Sequence, residues 1–385
     1  MKNGVNGSGL RLLIIIGEGP ANDDIKYLEE GARQRGHLPL VVSWHELSVA
    51  LDDRGPRLCA GGLPLAVDGI IHQMSTDALP GLTVLGAVED GIAHLNSTAA
   101  VLRSADKFAT HVRLAAYGVP TPDTAFCPGD RELRIFARAY GYPVVLKQPD
   151  GARGSEVALA RGEDELIAKA ESIRGRGRPL LVQRFVAEAA GRNHRVVVVG
   201  GRFVAAVEQT GRPGDFRSNG PGDVCRPVTL TDEEVAVVER TARAAGLDLM
   251  SADLLRGRGG PVILETNSFP AFGGFGHVDL RDPILDLIER KAAARRAGTG
   301  VPLAVPGRRP VPRKGLAPFV PPVPPAPTVS SVSSVPSATS AEGLPAAKAS
   351  PAADVVRVPD GSLTSGKPPA GGKSPAGEES VTAPD

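Results

Sequence analysis

Short apolar runs alternate with helical patterns over the first hundred residues of this chain. The run at residues 11–16 is apolar at every position after the first, which is typical of a strand buried on both faces. A helical pattern follows as far as Gly36, and further apolar runs lie at 38–42 and 67–71. Because strands that alternate with helices indicate a parallel sheet, residues 1–100 are predicted to form a small α/β domain.

Between residues 101 and 298 the pattern changes to a mixture of helices, strands and hairpins. Thr231 and Glu234 match a helix capping box, and Gly246 is placed to end that helix. The pair Gly200-Gly201 separates two apolar runs, which predicts a tight hairpin. The predicted elements are a helix at 104–117, strands at 142–147 and 180–185, a hairpin at 196–207, a helix from 231 to 246 and a last helix from 282.

One predicted hairpin, at residues 251–267, carries acidic and amide side chains. With its turn centred near Gly259, Asp253 lies opposite Glu265 across the two strands. Because side chains on a strand repeat every two residues, Asn267 shares a face with Glu265. Opposed carboxylates destabilise a strand pair unless a cation compensates them, and this set of hard oxygen ligands suits Mg²⁺ that carries nucleotide phosphates. The alternative is a surface hairpin whose charges are incidental.

Lys147 is a second candidate for phosphate binding, because it ends the predicted strand at 142–147. A loop rich in small residues follows at 151–157. An ammonium group in this place meets phosphate oxygens while backbone N–H groups of the loop close over them. The alternative is a solvated charge at the end of a strand.

Composition narrows the classes of function. The chain has 385 residues and a net charge of +1, so no overall field favours nucleic acid or a membrane surface as a partner. No apolar run is long enough for a signal core or a membrane span. Cys59, Cys127 and Cys225 are widely spaced and are predicted to be reduced thiols. We therefore expect a soluble, cytoplasmic protein with no membrane partner and no nucleic-acid partner.

The last segment, residues 299–385, has no hydrophobic periodicity. It holds 18 of the 35 prolines, together with much Ser, Ala and Gly. Such a composition buries too little apolar surface to order a chain, so a disordered tail is predicted. Arg and Lys residues cluster at its start, and two interpretations stay open. The tail is either a solubilising segment or one that docks on an anionic partner or a proline-binding module.

Several short motifs follow one another between Ala93 and about Ile288, over half of the chain. The most distinctive is Gly214-Asp-Phe-Arg217-Ser-Asn219. The others are Leu95-Asn-Ser97, Ser104-Ala-Asp-Lys107, Gly118-Val-Pro-Thr-Pro122, Val144-Val-Leu-Lys147, Gln183-Arg-Phe-Val186, Ala252-Asp253 and Glu265-Thr-Asn-Ser268-Phe-Pro270. In their order and spacing, these motifs resemble the RimK-type α-L-glutamate ligase family of the ATP-grasp superfamily.

This resemblance implies a fold with both α/β and α+β parts. Residues 1–100 would form a Rossmann-like pre-ATP-grasp domain, residues 101–298 the ATP-grasp domain, and residues 299–385 the disordered tail. Within the ATP-grasp domain, a lid subdomain would cover about 120–182 and a catalytic subdomain about 183–298. Members of the superfamily are commonly oligomeric, so an oligomer of identical chains is a family expectation.

The resemblance also implies a site for ATP with Mg²⁺ or Mn²⁺. The implied nucleotide contacts are Lys107, Lys147, Gln183, Arg184, Phe185, Asn193, Arg217, Ser218 and Asn219. The implied metal ligands are Asp253, Glu265 and Asn267. The implied catalytic residues are Arg195, which would meet the acyl group, and Arg217 and Asn219, which would neutralise the transferred phosphate. The chain departs from the family pattern at Arg184 and Asn193, which stand in place of acidic residues, and at residues 220–223.

The reaction implied by the resemblance is ATP-dependent ligation of a carboxylate and an amine through an acyl phosphate. The expected substrates are glutamate or a similar amino acid and the carboxylate of a protein, a peptide or a small molecule. The departures from the family pattern leave the choice of substrate open. The alternative function is a catalytically inactive nucleotide-binding scaffold that recruits partners through its proline-rich tail.

Overall fold

A computed structural model describes residues 9–17, 21–53, 55–75, 78–149, 157–174, 178–218, 224–272 and 274–298. The segment predicted to be a disordered tail lies outside these residues. The strands are β1 (Arg11–Ile16), β2 (Leu38–Ser43), β3 (Leu47–Asp52), β4 (Gly55–Ala60), β5 (Leu63–Pro64), β6 (Gly69–His72), β7 (Ala93–Leu95), β8 (Thr124–Cys127), β9 (Val144–Lys147), β10 (Val157–Ala160), β11 (Leu180–Arg184), β12 (Arg192–Val199), β13 (Arg202–Thr210), β14 (Val224–Pro227), β15 (Leu249–Gly257) and β16 (Gly260–Asn267). The helices are α1 (Asp23–Gln34), α2 (Leu79–Gly86), α3 (Thr98–Ala105), α4 (Lys107–Ala116), α5 (Asp130–Tyr140), α6 (Glu163–Arg174), α7 (Asp232–Ala245) and α8 (Arg281–Arg296).

The amino-terminal sheet is parallel, with the strand order β2-β1-β6-β7. Leu12 and Ile14 of β1 belong to the same apolar cluster as buried residues of α1 and α8. Leu13 and Ile15 belong to a second cluster, together with residues of α2. Helices therefore cover both faces of this sheet, which explains why β1 is apolar at successive positions.

A three-stranded antiparallel ribbon, β3-β4-β5, follows β2 and was not predicted from the sequence. Leu47 and Leu58 are buried in the cluster around α2, whereas Leu51 and Leu63 are exposed. Short strands that bury only part of their side chains produce a weak hydrophobic alternation, and this is why the pattern did not reveal the ribbon.

The second large sheet is antiparallel, with the order β10-β9-β11-β8. It contains the strands predicted near 142–147 and 180–185, and α5 and α6 pack on it through Leu133, Phe136 and Leu166. Those two helices were not predicted. Strand β11 spans the predicted boundary between the lid and catalytic subdomains, which was placed at 182–183. The predicted domain boundaries remain predictions.

The third large sheet is antiparallel, with the order β14-β13-β12-β15-β16. Helix α7 covers one face through Val237 and Val238. On the other face, Val197 and Leu249 share one apolar cluster with β1 of the amino-terminal sheet and with Ile288 of α8. The last helix therefore packs against both the first and the third large sheets.

Local predictions in this region are confirmed in most cases. Thr231 and Glu234 form the capping box of α7, and Gly246 ends that helix with a φ of 72° in the left-handed region. The hairpin between β12 and β13 turns at Gly200-Gly201, as predicted. The single helix predicted at 104–117 is wrong, because Asp106 leaves helical geometry and caps the amino terminus of α4.

The cysteines are the thiols that the sequence predicted, and the described helices can be compared with the dimensions of a membrane. Cys59, Cys127 and Cys225 are free thiols, the first two buried and the third exposed. Burial raises the pKa of the Cys127 thiol to about 12. Among the helices that the structure describes, none combines the length and the apolar character that crossing a membrane requires.

Candidate active site

A cavity of about 420 Å³ lies where the second and third large sheets meet α3 and α4. It brings together side chains that are far apart in the sequence. The predicted site residues that line it are Lys107, Lys147, Gln183, Arg184, Phe185, Asn193, Arg217, Ser218, Asp253, Glu265 and Asn267. Arg195 binds Asp253 and does not itself line the cavity. Asn219 and residues 220–223 lie outside the part of the chain that the structure describes.

Lys147 is buried at the end of β9, so its charge is not the solvated strand-end charge considered as an alternative. Its Nζ donates a hydrogen bond to Oε1 of Gln183 on β11 at 2.8 Å. Burial lowers the pKa of the Lys147 ammonium to about 8, an effect that the nearby Glu265 carboxylate opposes. A buried ammonium that faces a cavity is suited to bind an anionic group, because such a group restores the electrostatic stabilisation that water no longer supplies.

His111 lines the same cavity and is not among the site residues predicted from the sequence. The Gln183 amide nitrogen donates to Oγ1 of Thr124 at 2.9 Å and lies 3.4 Å from Nε2 of His111. Burial lowers the pKa of His111 to about 4, with a smaller contribution from the Lys147 charge, so the ring is neutral near pH 7. The i, i+4 spacing of Lys107 and His111 on α4 was the available indication that both face the same site.

Asp253 and Glu265 are paired across β15 and β16, as the hairpin pattern predicted, and Ser251 is paired with Asn267. Asp253 is only 1% exposed. Its carboxylate receives two hydrogen bonds from Arg195 on β12, from Nε to Oδ1 at 3.0 Å and from Nη2 to Oδ2 at 3.1 Å. Burial raises the pKa of Asp253, Arg195 opposes that rise, and Glu265 adds to it. The cation that compensates the opposed carboxylates in this structure is therefore Arg195.

The hairpin nevertheless has the donor chemistry for a hard divalent cation. Asp253, Glu265 and Asn267 offer two carboxylates and an amide oxygen around one end of the cavity. Over the residues described, His, Cys, Asp and Glu side chains form no group of three that could hold a metal ion. A metal at this place would therefore depend on the Asn267 amide as well as on the two carboxylates.

Asn193 supplies an independent observation that the cavity suits a polar ligand. Its side chain is buried, and Oδ1 accepts no hydrogen bond from the residues that the structure describes. Leaving a buried acceptor unpaired costs on the order of 1–3 kcal/mol. A hydroxyl-bearing ligand such as a ribose would satisfy this atom, although Asn193 replaces the acidic residue of the family pattern.

Other predicted nucleotide contacts form the rim of the cavity. Arg217 is bound through its Nε and Nη2 atoms to the carboxylate of Asp215, at 3.0 and 2.9 Å. Arg184 lies 3.5 Å from Asp123 in an exposed ion pair. Phe185 packs edge-to-face on Phe216, with ring centroids 6.1 Å apart, and gives this wall an apolar surface.

The fold of the chain is the ATP-grasp fold. A solved structure of the ATP-grasp ligase PsnB with its minimal precursor matches with a TM-score of 0.59 at 23% identity, over 72% of this chain and 98% of that chain. Another PsnB complex, which contains a phosphomimetic precursor variant, Mg and ADP, matches with the same TM-score at 21% identity, over 72% of this chain and 98% of that one.

The sequence comparisons then identify the family. Residues 104–288 match the model of the RimK-like ATP-grasp domain. A probable alpha-L-glutamate ligase of Teredinibacter turnerae is 32% identical over 295 residues, which cover 74% of this chain and 98% of that protein. The chain belongs to the RimK-like ATP-grasp family, and it is an ATP-grasp ligase. The resemblance inferred from the motifs is thus confirmed.

Proposed function

We propose that this protein is an ATP-dependent carboxylate–amine ligase that forms an amide bond through an acyl phosphate. Its substrates are glutamate, or a similar amino acid, and the carboxylate of a protein, a peptide or a small molecule. The observation that carries this proposal is that Lys147 and the Asp253–Glu265 pair line the same cavity. Because the reaction consumes ATP, we place the protein in the cytoplasm.

The chemistry explains why a ligase needs this combination of charges. A carboxylate oxygen is a poor leaving group, so an amine does not displace it directly. In the proposed reaction, the carboxylate oxygen forms a bond to the γ-phosphorus of ATP, and the bond between that phosphorus and ADP breaks. The amine then attacks the acyl carbon, loses a proton to solvent, and phosphate leaves with the original carboxylate oxygen.

The residues of this chain have distinct tasks in that scheme. Lys107 and Lys147 bind phosphate oxygens, and Arg195, Arg217 and Asn219 neutralise charge on the phosphate and on the acyl oxygen. Asp253, Glu265 and Asn267 would hold Mg²⁺ or Mn²⁺, which neutralises phosphate charge when it is bound. The neutral His111 and Thr124 orient the Gln183 amide towards Lys147.

The comparisons support the proposed substrate classes. Curated relatives carry the name probable alpha-L-glutamate ligase, and a solved neighbour is the D-cycloserine synthetase DcsG, with a TM-score of 0.54. One solved PsnB structure contains the precursor peptide PsnA2 and AMPPNP. An inactive scaffold has no specific observation in its favour, because the described carboxylates and Lys147 are all present at the cavity.

Isotope transfer tests the proposed reaction. ADP release is measured with each amino acid in turn and with acceptor peptides labelled with ¹⁸O in the carboxyl-terminal carboxylate. One label is expected in the released phosphate for each amide bond formed. Released phosphate that carries no label would show that the carboxylate was never phosphorylated, and the proposed mechanism would fail.

A matched pair of variants tests the site. Glu265→Gln removes a metal ligand without creating a cavity, so turnover should fall on the order of a hundredfold or more while the fold is kept. Glu239→Gln on α7 is the control, since Glu239 binds Phe203 and Arg202 and does not line the cavity. Wild-type ADP release from Glu265→Gln would exclude the proposed ligand set.

A further inference from the structure

We propose that Arg195 is the resident counter-ion of Asp253 while no metal is bound, and that metal binding displaces its guanidinium group. The inference rests on the metal site of the proposed function and concerns how that site is loaded. It also assigns Arg195 two successive positions, one on Asp253 and one at the substrate.

The first observation is the geometry of the pair. The guanidinium fork of Arg195 engages both oxygens of Asp253, at 3.0 and 3.1 Å. The two residues are direct cross-strand neighbours on β12 and β15, so the pair is built into the sheet register. A divalent cation on the same carboxylate would lie close to the guanidinium charge, and the two cations would repel each other strongly in this buried place. Metal binding and the full bidentate pair therefore compete for Asp253.

The second observation is the position of Arg195 relative to the cavity. Asp253 lines the cavity, whereas Arg195 does not, and the Arg195 side chain is 19% exposed. The carboxylate thus holds the guanidinium away from the space where a substrate would lie. Once a metal neutralises Asp253, the guanidinium becomes available to a carboxylate or phosphate group, which it binds through the same planar fork. This order, metal first and arginine second, prevents an anionic substrate from engaging a site that lacks its metal.

A second arginine–carboxylate pair, whose arginine lies on the same strand as Asp253, provides a matched control. Arg256 of β15 binds the buried Glu234 through Nε to Oε1 at 2.6 Å and through Nη2 to Oε2 at 3.0 Å. Glu234 also accepts a hydrogen bond from the backbone N–H of Thr231 in the capping box of α7. This pair has the same bidentate geometry as the first but supports a helix end, and neither partner lines the cavity.

The experiment measures Mn²⁺ affinity by calorimetry on the full chain without nucleotide or substrate. Arg195→Met and Arg195→Lys are compared with wild type and with Arg256→Met, at pH 8.5, where protons compete weakly for the carboxylates. Since a hydrogen-bonded charge pair no longer has to be broken, Arg195→Met should bind Mn²⁺ at least about tenfold more tightly. Arg195→Lys should show a smaller gain, because lysine does not form the fork, and Arg256→Met should match wild type.

Thermal melting gives a second readout. Without metal, Arg195→Met should melt below wild type, because the buried Asp253 carboxylate loses its counter-ion. Mn²⁺ should raise the melting temperature of this variant by more than it raises that of wild type. If Arg195→Met does not fold, Arg195→Lys carries the test with the same expected direction. Equal or weaker Mn²⁺ binding by the Arg195 variants would overturn the proposal.

Glu265→Gln separates this inference from the proposed function. It should abolish Mn²⁺ binding in every background, which assigns the measured site to this hairpin. Retained binding would place the metal elsewhere and would overturn the inference. The ¹⁸O experiment tests the reaction independently. If no label is transferred but the Mn²⁺ affinities are as expected, the proposed reaction is rejected while the proposed role of Arg195 is supported.

Discussion

Lys147 illustrates how the protein interior changes the chemistry of a single residue. Its ammonium is buried, it binds the Gln183 side chain, and its pKa falls from 10.5 to about 8. The charged form is therefore less favourable in the folded chain than in the unfolded chain. In the proposed function, a phosphate group bound beside Lys147 offsets this cost. Shifted pKa values of this kind are common at functional sites.

The pKa of Lys147 leads to a prediction about stability and pH. Between pH 8 and 10.5, Lys147 carries a proton in the unfolded chain but has lost it in the folded chain. The free energy of unfolding of wild type, relative to that of Lys147→Met, should therefore rise with pH over this range. The gain should reach roughly 3 kcal/mol at the top of the window. Urea unfolding of both proteins from pH 7 to 10.5 measures the difference. It should be constant below pH 8, and a difference that stays constant above pH 8 as well would contradict the prediction.

Asn96 determines how three elements meet at the site. It follows β7 and is buried, and its Nδ2 donates to the carbonyl oxygens of Leu249 and Ser268 at 2.7 and 2.5 Å. Its Oδ1 accepts hydrogen bonds from the backbone N–H groups of Asp248 and Leu249 at 2.7 and 2.8 Å. One side chain therefore joins the amino-terminal sheet to the start of β15 and to the residue that follows Asn267.

Replacing this side chain should weaken both the fold and the site. Asn96→Ala leaves buried backbone groups without partners, so we expect a loss of about 3 kcal/mol or more, measured by urea unfolding. Because Ser268 follows Asn267, the Mg²⁺ concentration needed for half-maximal ADP release should also rise.

The control is Asn22→Ala at the amino terminus of α1, where Asn22 caps the helix and binds Gln73. It should cost about 1 kcal/mol and leave the Mg²⁺ requirement unchanged. Equal Mg²⁺ requirements in the two variants would show that Asn96 supports the fold without positioning the proposed metal ligands.

At the scale of the whole molecule, α8 joins the cores of the first and third large sheets. Ile284, Leu285, Leu287 and Ile288 are buried in the cluster that also contains Leu12 of β1 and Val197 of β12. The last buried residue of the helix is Ala292, four residues before its end. Helix α8 therefore supplies the last apolar side chains, in chain order, of the core that the structure describes.

Two truncations follow from this packing. Ending the chain after Gly298 should preserve both the melting temperature and ADP release, because α8 is intact. Ending it after Leu280 removes four large buried side chains, each of which contributes about 1.5–3 kcal/mol, and should abolish folding. Differential scanning fluorimetry distinguishes the outcomes. A large fall in melting temperature on removal of residues 299–385 would show that this segment packs on the core.

The sequence alone determined the features that depend on neighbours along the chain. The capping box at Thr231, the end of α7 at Gly246 and the pairing of Asp253 with Glu265 were all predicted, because caps, turns and the two-residue period are local properties. The order of the motifs was sufficient to indicate the family. Half-exposed strands such as β3 and β4 were missed, since their burial depends on what packs against them.

Only the tertiary structure decided which distant side chains meet. Arg195 and Asp253 are 58 residues apart, and Asn96 and Leu249 are 153 residues apart, yet each pair is joined by hydrogen bonds. The contact of His111 with Gln183 and the burial of Lys147 arise in the same way. Sheet register and core packing set these distances. Because desolvation and charge pairing depend on the resulting surroundings, the chemistry of the site emerges only in the folded chain.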